Sequence, residues 1–340
     1  MRELRQRGYW PPPIWVPGER PTGKWIGRFG GLWIGAASLF FFLFLVLVDG
    51  LLLGNTLSIT IGLLVGSFGS AVALLYVMAY RIGPRDTLTV PRLLLAATFG
   101  GLIAVTLGST LDILVARATG SPAGQPGTVV LLLAGVTEEF AKIVAVVAVS
   151  WRLADRSVRN GLFLGGAVGF GFAAMEDLGY AVRVIDHPLA QLHLDGLQSA
   201  LLLVPLRAAE TPVLHPIFTA LLAAAVFAAA RNGRFRITGG VVLAYLGVAV
   251  AHGLFDGSGS LLLATGNPVL LLLVLVVIPG VIVGSGLVWL RVARRARFAF
   301  QLPVAWWLRP PTGEPLPPDP LPEEPPRPEE SAPSPAHDLV

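Results

Sequence analysis

Apolar residues run along this chain in blocks of twenty or more, and the polar residues collect between the blocks. A run of that length crosses the roughly 30 Å hydrocarbon core of a bilayer as one helix. Eight such spans are predicted, near 31–53, 56–81, 92–116, 127–151, 160–183, 196–230, 238–260 and 267–293. The sixth is too long for one straight crossing and contains Pro205, Pro212 and Pro216. It is therefore expected to be broken or kinked, its freed carbonyls facing protein. Period-2 alternation is absent, so a β-barrel is excluded. The fold class is all-α, a polytopic transmembrane helical bundle.

Composition agrees with the pattern. Of 340 residues, 54% are hydrophobic and 14% charged, against about a quarter charged in ordinary soluble domains. A soluble monomer is excluded. Cysteine is absent, which removes disulfides, thiolate metal sites and a Cys nucleophile. The net charge of +4 does not indicate nucleic acid, because the cations alternate between loops. Twenty-one of the 25 basic residues fall in the terminal segments and every second loop, and the intervening loops hold only Arg117 and Arg183. That asymmetry places both termini in the cytoplasm.

The domain reading is a cytoplasmic segment over 1–30, a transmembrane domain over 31–300 and a Pro-rich tail over 301–340, expected to be disordered. The first apolar block spans fully and lacks a small-residue cleavage site, unlike a signal peptide. Trp10 to Trp15, with Pro11, Pro12 and Pro13 between, is read as an irregular tail with interfacial Trp or as an extended polyproline stretch near the headgroups. No internal repeat is seen.

Ionisable groups inside the blocks cost roughly 2.5–3.5 kcal/mol each on insertion scales, so each needs a reason. Asp49 ends the first span and Asp112 lies in the third. The fourth to seventh spans hold most of the rest: Glu138, Glu139 and Lys142; Glu176 and Asp177; Glu210 and His215; His252 and Asp256. Lys142 follows Glu138 by four residues and Glu139 by three, so it can neutralise one of them. Phe172 precedes Glu176 by one turn. At about 1.5 Å per residue, Glu138, Glu176 and His252 fall between the midplane and the outer surface. They can share one cavity that opens outward.

Carboxylates with imidazoles suit water activation and also suit a catalytic zinc. A Ser mechanism lacks its Gly-x-Ser-x-Gly turn. Adjacent glutamates point about 100° apart, so only one faces the cavity centre, and Glu139 is expected to be the water activator.

The series Glu138-Glu139-x-x-Lys142, Phe172-x-x-x-Glu176, His215-x-x-x-Thr219 and His252-x-x-x-Asp256 resembles the PrsW family of intramembrane proteases over roughly residues 90–260. Its wider superfamily includes the type II CAAX prenyl endopeptidases and a non-catalytic subunit of γ-secretase. The resemblance implies a multi-pass endopeptidase of the bacterial plasma membrane, acting on a single-span membrane protein such as an anti-sigma factor near its extracytoplasmic side. It implies Glu138, Glu139, Glu176, His215 and His252 as catalytic, with Lys142, Phe172 and Asp256 in support. If zinc takes part, its expected ligands are Glu139, Glu176, His215 and His252. Metal-assisted and purely glutamate-driven hydrolysis both stay open, as do a non-catalytic scaffold and a proton-coupled transporter.

Overall fold

A computed structural model describes residues 29–298 except 78–87, 89, 122–126, 152, 154–155, 189–192, 232–233 and 266. The polyproline stretch and the Pro-rich tail lie outside the described residues. Among the described residues, eight rods follow one another: α1 (Gly30–Leu52), α2 (Thr56–Val77), α3 (90–118), α4 (Thr128–Val149), α5 (Val158–Asp186), α6 (Gly196–Ala229), α7 (Gly239–Thr265) and α8 (Pro268–Phe298). Among the described residues there is no strand, only one isolated bridge between Arg231 and Arg234.

Seven rods are long and apolar enough to cross a membrane. The eighth, α4, has 22 residues, about 33 Å of helix, and it carries Glu138, Glu139 and Lys142. The bundle is inverted relative to a soluble protein. Leu52, Leu243, Val269 and Val276 are exposed, whereas Glu138, Glu139, Lys142, Asp177, His215 and His252 are buried. Water would reject such an exterior, and lipid accepts it. The chain is a polytopic α-helical membrane protein.

Local signals start the helices that matter for the site. The Ser157 hydroxyl accepts from the Asn160 amide at the head of α5. Asp195 and Gln198 form a reciprocal capping box at the head of α6, satisfying donors that would otherwise be orphaned. Two helices are locally wound wider, over Phe44–Leu52 in α1 and Ala96–Gly100 in α3. Of the break or kink expected in the sixth span, the break is corrected: α6 runs as one 34-residue helix through all three prolines. It is held from both ends, because α5 and α6 form the most extensive pairing in the bundle. Leu164, Ala167 and Val168 meet Ala223, Val226 and Phe227 at one end, and Ala181 and Val184 meet Ala200 and Val204 at the other. Packing over that length compensates the backbone bonds that proline forfeits.

Glycines set how closely the rods approach. A Cβ on Gly169 of α5 would lie 2.6 Å from the Pro216 Cα and 2.7 Å from the His215 carbonyl oxygen. The α5 and α6 backbones therefore touch directly opposite His215. Gly135 of α4 has a similar place, where a Cβ would lie 2.6 Å from the Gly253 amide of α7. Small residues permit such crossings in membranes. Each crossing lies within about a turn of a polar residue singled out above, and that fixes the register of the site.

Candidate active site

Four helices deliver the polar residues to one place near their midpoints. From α4, Lys142 Nζ donates to Glu139 Oε1 at 2.9 Å and to Glu138 Oε2 at 3.2 Å. It also donates to His215 Nδ1 of α6 at 2.9 Å and lies 3.9 Å from the centre of the Phe172 ring of α5. An ammonium has no lone pair, so Nδ1 of His215 must be the acceptor. The hydrogen of His215 then sits on Nε2, which donates to Glu176 Oε2 at 3.0 Å. Both ring nitrogens are engaged and the ring is neutral.

His252 of α7 is held differently. Its Nδ1 lies 2.9 Å from Glu139 Oε1, and since an ionised carboxylate only accepts, Nδ1 carries the hydrogen. Its Nε2 lies 3.1 Å from Asp256 Oδ2 and 3.6 Å from Glu138 Oε2, yet it is buried and has hydrogen-bond geometry to neither. The second oxygen of Glu139 is likewise buried and unpartnered. The two imidazoles stand edge to face with centroids 5.0 Å apart, flanked by Phe172 and Phe218.

The catalytic set read from the sequence, Glu138, Glu139, Glu176, His215 and His252, thus forms one connected cluster with Lys142, Phe172 and Asp256. Thr219 is buried beside it and donates to the His215 carbonyl at 2.8 Å. Asp112 is tied in through a hydrogen bond from Thr137, the neighbour of Glu138. Asp49 takes no part; it accepts from Ser58 and Asn55 at the end of α1. The side chain of Glu210 lies outside the described residues.

Arg207 is the member that the sequence reading did not assign to the site. Its Nη2 donates to Glu176 Oε2 at 2.8 Å and its Nε to Asp177 Oδ1 at 2.9 Å. The signal was an arginine inside a span, which requires a partner at that depth, two turns before His215.

The more exposed side chains of the cluster gather on one side of it. Lys142 and Glu139 side chains are 0% exposed, against 14% for Glu176, 19% for Arg207 and 24% for Asp256. These three lie toward the C-terminal ends of α5 and α7 and the N-terminal end of α6, whose loops are poor in basic residues.

The donor set suits a metal ion. One ligand atom each from Glu138, His215 and His252 lies within 4.8 Å of the others, all buried. An oxygen and two imidazole nitrogens, with a further position left open, is the ligand chemistry of catalytic zinc. The unpartnered Nε2 of His252 fits this role, since its other nitrogen donates to Glu139 in the manner of a carboxylate that orients a ligating histidine. His215 can join only by releasing Lys142 or Glu176. Among the described residues, the five carboxylates Glu138, Glu139, Glu176, Asp177 and Asp256 face two fixed cations in the cluster, Lys142 and Arg207. That imbalance also favours a divalent ion.

A membrane-embedded bundle with paired glutamates and two histidines buried at mid-depth defines an intramembrane hydrolase. Residues 87–283, more than half of the chain, match the PrsW family intramembrane metalloprotease family, and the chain belongs to that family. It is therefore a multi-pass membrane protease. No curated protein and no solved structure matches it.

Proposed function

We propose that the chain hydrolyses a peptide bond of a single-span membrane protein near the extracytoplasmic side, by activated water and without an acyl-enzyme. The observation that carries the reading is the contrast within the glutamate pair. One oxygen of Glu139 accepts from both Lys142 and His252, whereas Glu138 accepts from Lys142 alone and faces, at 3.6 Å, the Nε2 of His252 that lacks a hydrogen bond. This reverses the roles expected from sequence. Glu138 takes the proton of the attacking water and delivers it toward the leaving amine, and Glu139 fixes the tautomer and direction of His252. Lys142 offsets the charge of the pair, and Phe172 and Phe218 exclude bulk water from the imidazoles.

His215, His252 and one oxygen of Glu138 would hold a divalent ion, leaving the other Glu138 oxygen to take the proton; when bound, the ion lowers the proton affinity of water and polarises the scissile carbonyl. Glu138 is preferred to Glu139 and Glu176 of the set expected from sequence, because one oxygen of each of those two already accepts from two side chains and Glu138 accepts from Lys142 alone. The increase in exposure toward the basic-poor loops supports access from outside the cytoplasm, with both termini inside. An anti-sigma factor-like protein of the bacterial plasma membrane suits such a site, since its extracytoplasmic part lies at the open edge.

Membrane proteomics of cells expressing wild type or Glu138→Gln tests the reading. A single-span protein shortened on its extracytoplasmic side is expected in the wild type and its intact form in the variant. Wild-type cleavage by folded Glu138→Gln overturns the role of Glu138. A trapped acyl-enzyme overturns the non-covalent route.

A further inference from the structure

Arg207 has no task in the chemistry above, although an arginine inside a span is costly to keep. Its surroundings are built rather than incidental. Glu176, Asp177 and Tyr180 occupy one turn of α5, and all three receive the guanidinium. Nη2 meets Glu176 Oε2 at 2.8 Å, Nε meets Asp177 Oδ1 at 2.9 Å, and Cζ lies 3.9 Å over the Tyr180 ring. Asp177, 1% exposed in its side chain, would alone neutralise the cation. The second contact falls on Glu176 Oε2, the same oxygen that accepts from His215 Nε2 at 3.0 Å. Arg207 and His215 are eight residues apart on α6, so one rigid helix grips the Glu176 carboxylate from both sides. The other nitrogen of His215 meets Lys142. A continuous line of contacts therefore runs from the partly exposed Arg207 through Glu176, His215 and Lys142 to Glu138 and Glu139.

We propose that Arg207 is a positioning residue of this site: its fork fixes the Glu176 carboxylate, which holds the His215 ring in the tautomer and orientation that meet Lys142 beside Glu138. Two edge nitrogens of a planar guanidinium serve two different carboxylates, which the single ammonium of lysine cannot reproduce. The proposal rests on the hydrolase reading for its kinetic consequence, but not for its structural one.

Two measurements on the full-length protein test it. With a substrate peptide that the wild type cleaves, Arg207→Lys is expected to lower kcat at least tenfold with KM within twofold. In a Glu176→Gln background the same change is expected to cost less than twofold, because Arg207 acts through Glu176. Wild-type kcat in Arg207→Lys, a loss that multiplies fully with Glu176→Gln, or a rise in KM alone each overturns the proposal. The second measurement needs no substrate. In protein with 15N-labelled histidine, the ring signals of His215, assigned by their loss in His215→Gln, are expected to report hydrogen on Nε2 and to change in Arg207→Lys. An unchanged spectrum refutes the positioning role whatever the enzyme cleaves. Glu138→Gln with wild-type cleavage refutes the role assigned to Glu138 and leaves the spectral result standing.

Discussion

A single methyl group at Gly135 is expected to disable the site without touching it. Gly135 lies on α4 one turn before Glu138 and Glu139, against Ala249 and Gly253 of α7, the residues that bracket His252. A Cβ there would fall on the Ala249 carbonyl oxygen, 3.0 Å from the Ala249 carbonyl carbon and 2.6 Å from the Gly253 amide, where ordinary contact begins at 3.4 Å. Both obstacles are backbone and cannot rotate away, so α7 must retreat by about 1 Å in a close-packed interior. The bond from His252 Nδ1 to Glu139 Oε1, 2.9 Å long, then stretches to about 4 Å and is lost. Displacement of that order is expected to lower cleavage about 100-fold in Gly135→Ala. Overpacking costs about 1–3 kcal/mol, so the protein stays folded. Because the chain has no cysteine, the movement can be read directly. Thr128 of α4 and Ser260 of α7 have their hydroxyls 2.9 Å apart, and cysteines placed at both positions are expected to cross-link readily in the parent and poorly with Gly135→Ala. Gly247 of α7, with nothing within 4 Å of its added Cβ, supplies the control on the facing helix. Wild-type cleavage and full cross-linking in Gly135→Ala would refute the claim that this crossing sets the geometry of the site.

Lys142→Met leaves Glu138 and Glu139 buried without their cation and is expected to cost about 3–5 kcal/mol. Adding Glu139→Gln should restore much of this in an SDS unfolding titration, and failure to do so removes Lys142 from its charge-balancing role. Elemental analysis of purified protein is expected to find about one equivalent of divalent metal, lost in Glu138→Gln and His252→Ala but kept in Glu176→Gln. Loss in Glu176→Gln instead would favour the ligand set expected from sequence. Reporter fusions before residue 29 and after residue 300 are expected to report the cytoplasm, and one in the loop 187–195 the opposite side; any other pattern refutes the orientation.

Hydrophobic run length by itself determined the helices, because a bilayer accepts little else than apolar stretches of fixed length whose backbone bonds close internally. Even α4 was legible despite three charges, since Leu, Val and Ala surround them. The polar cluster was legible for a related reason: ionisable residues are so costly in a span that Glu138, Glu139, Lys142, Glu176, His215 and His252 stood out against a silent background. Tertiary structure alone decided which of these groups faces which. Spacing showed that Lys142 can reach either glutamate; only the approach of α7 at Gly135 and Gly253 made Glu139 the partner of His252 and left Glu138 with Lys142 alone. Sequence read three prolines as a break or a kink in α6, and the long α5 interface kept the helix unbroken. Arg207 was read as a cation inside a span and not as part of the site, because its partners are on another helix, and no periodicity within one helix records a contact between two. Local propensity and the cost of desolvation are properties of a residue and its neighbours in sequence, whereas the division of labour in a site depends on ångström-scale distances between helices, which small residues far from the chemistry set by packing.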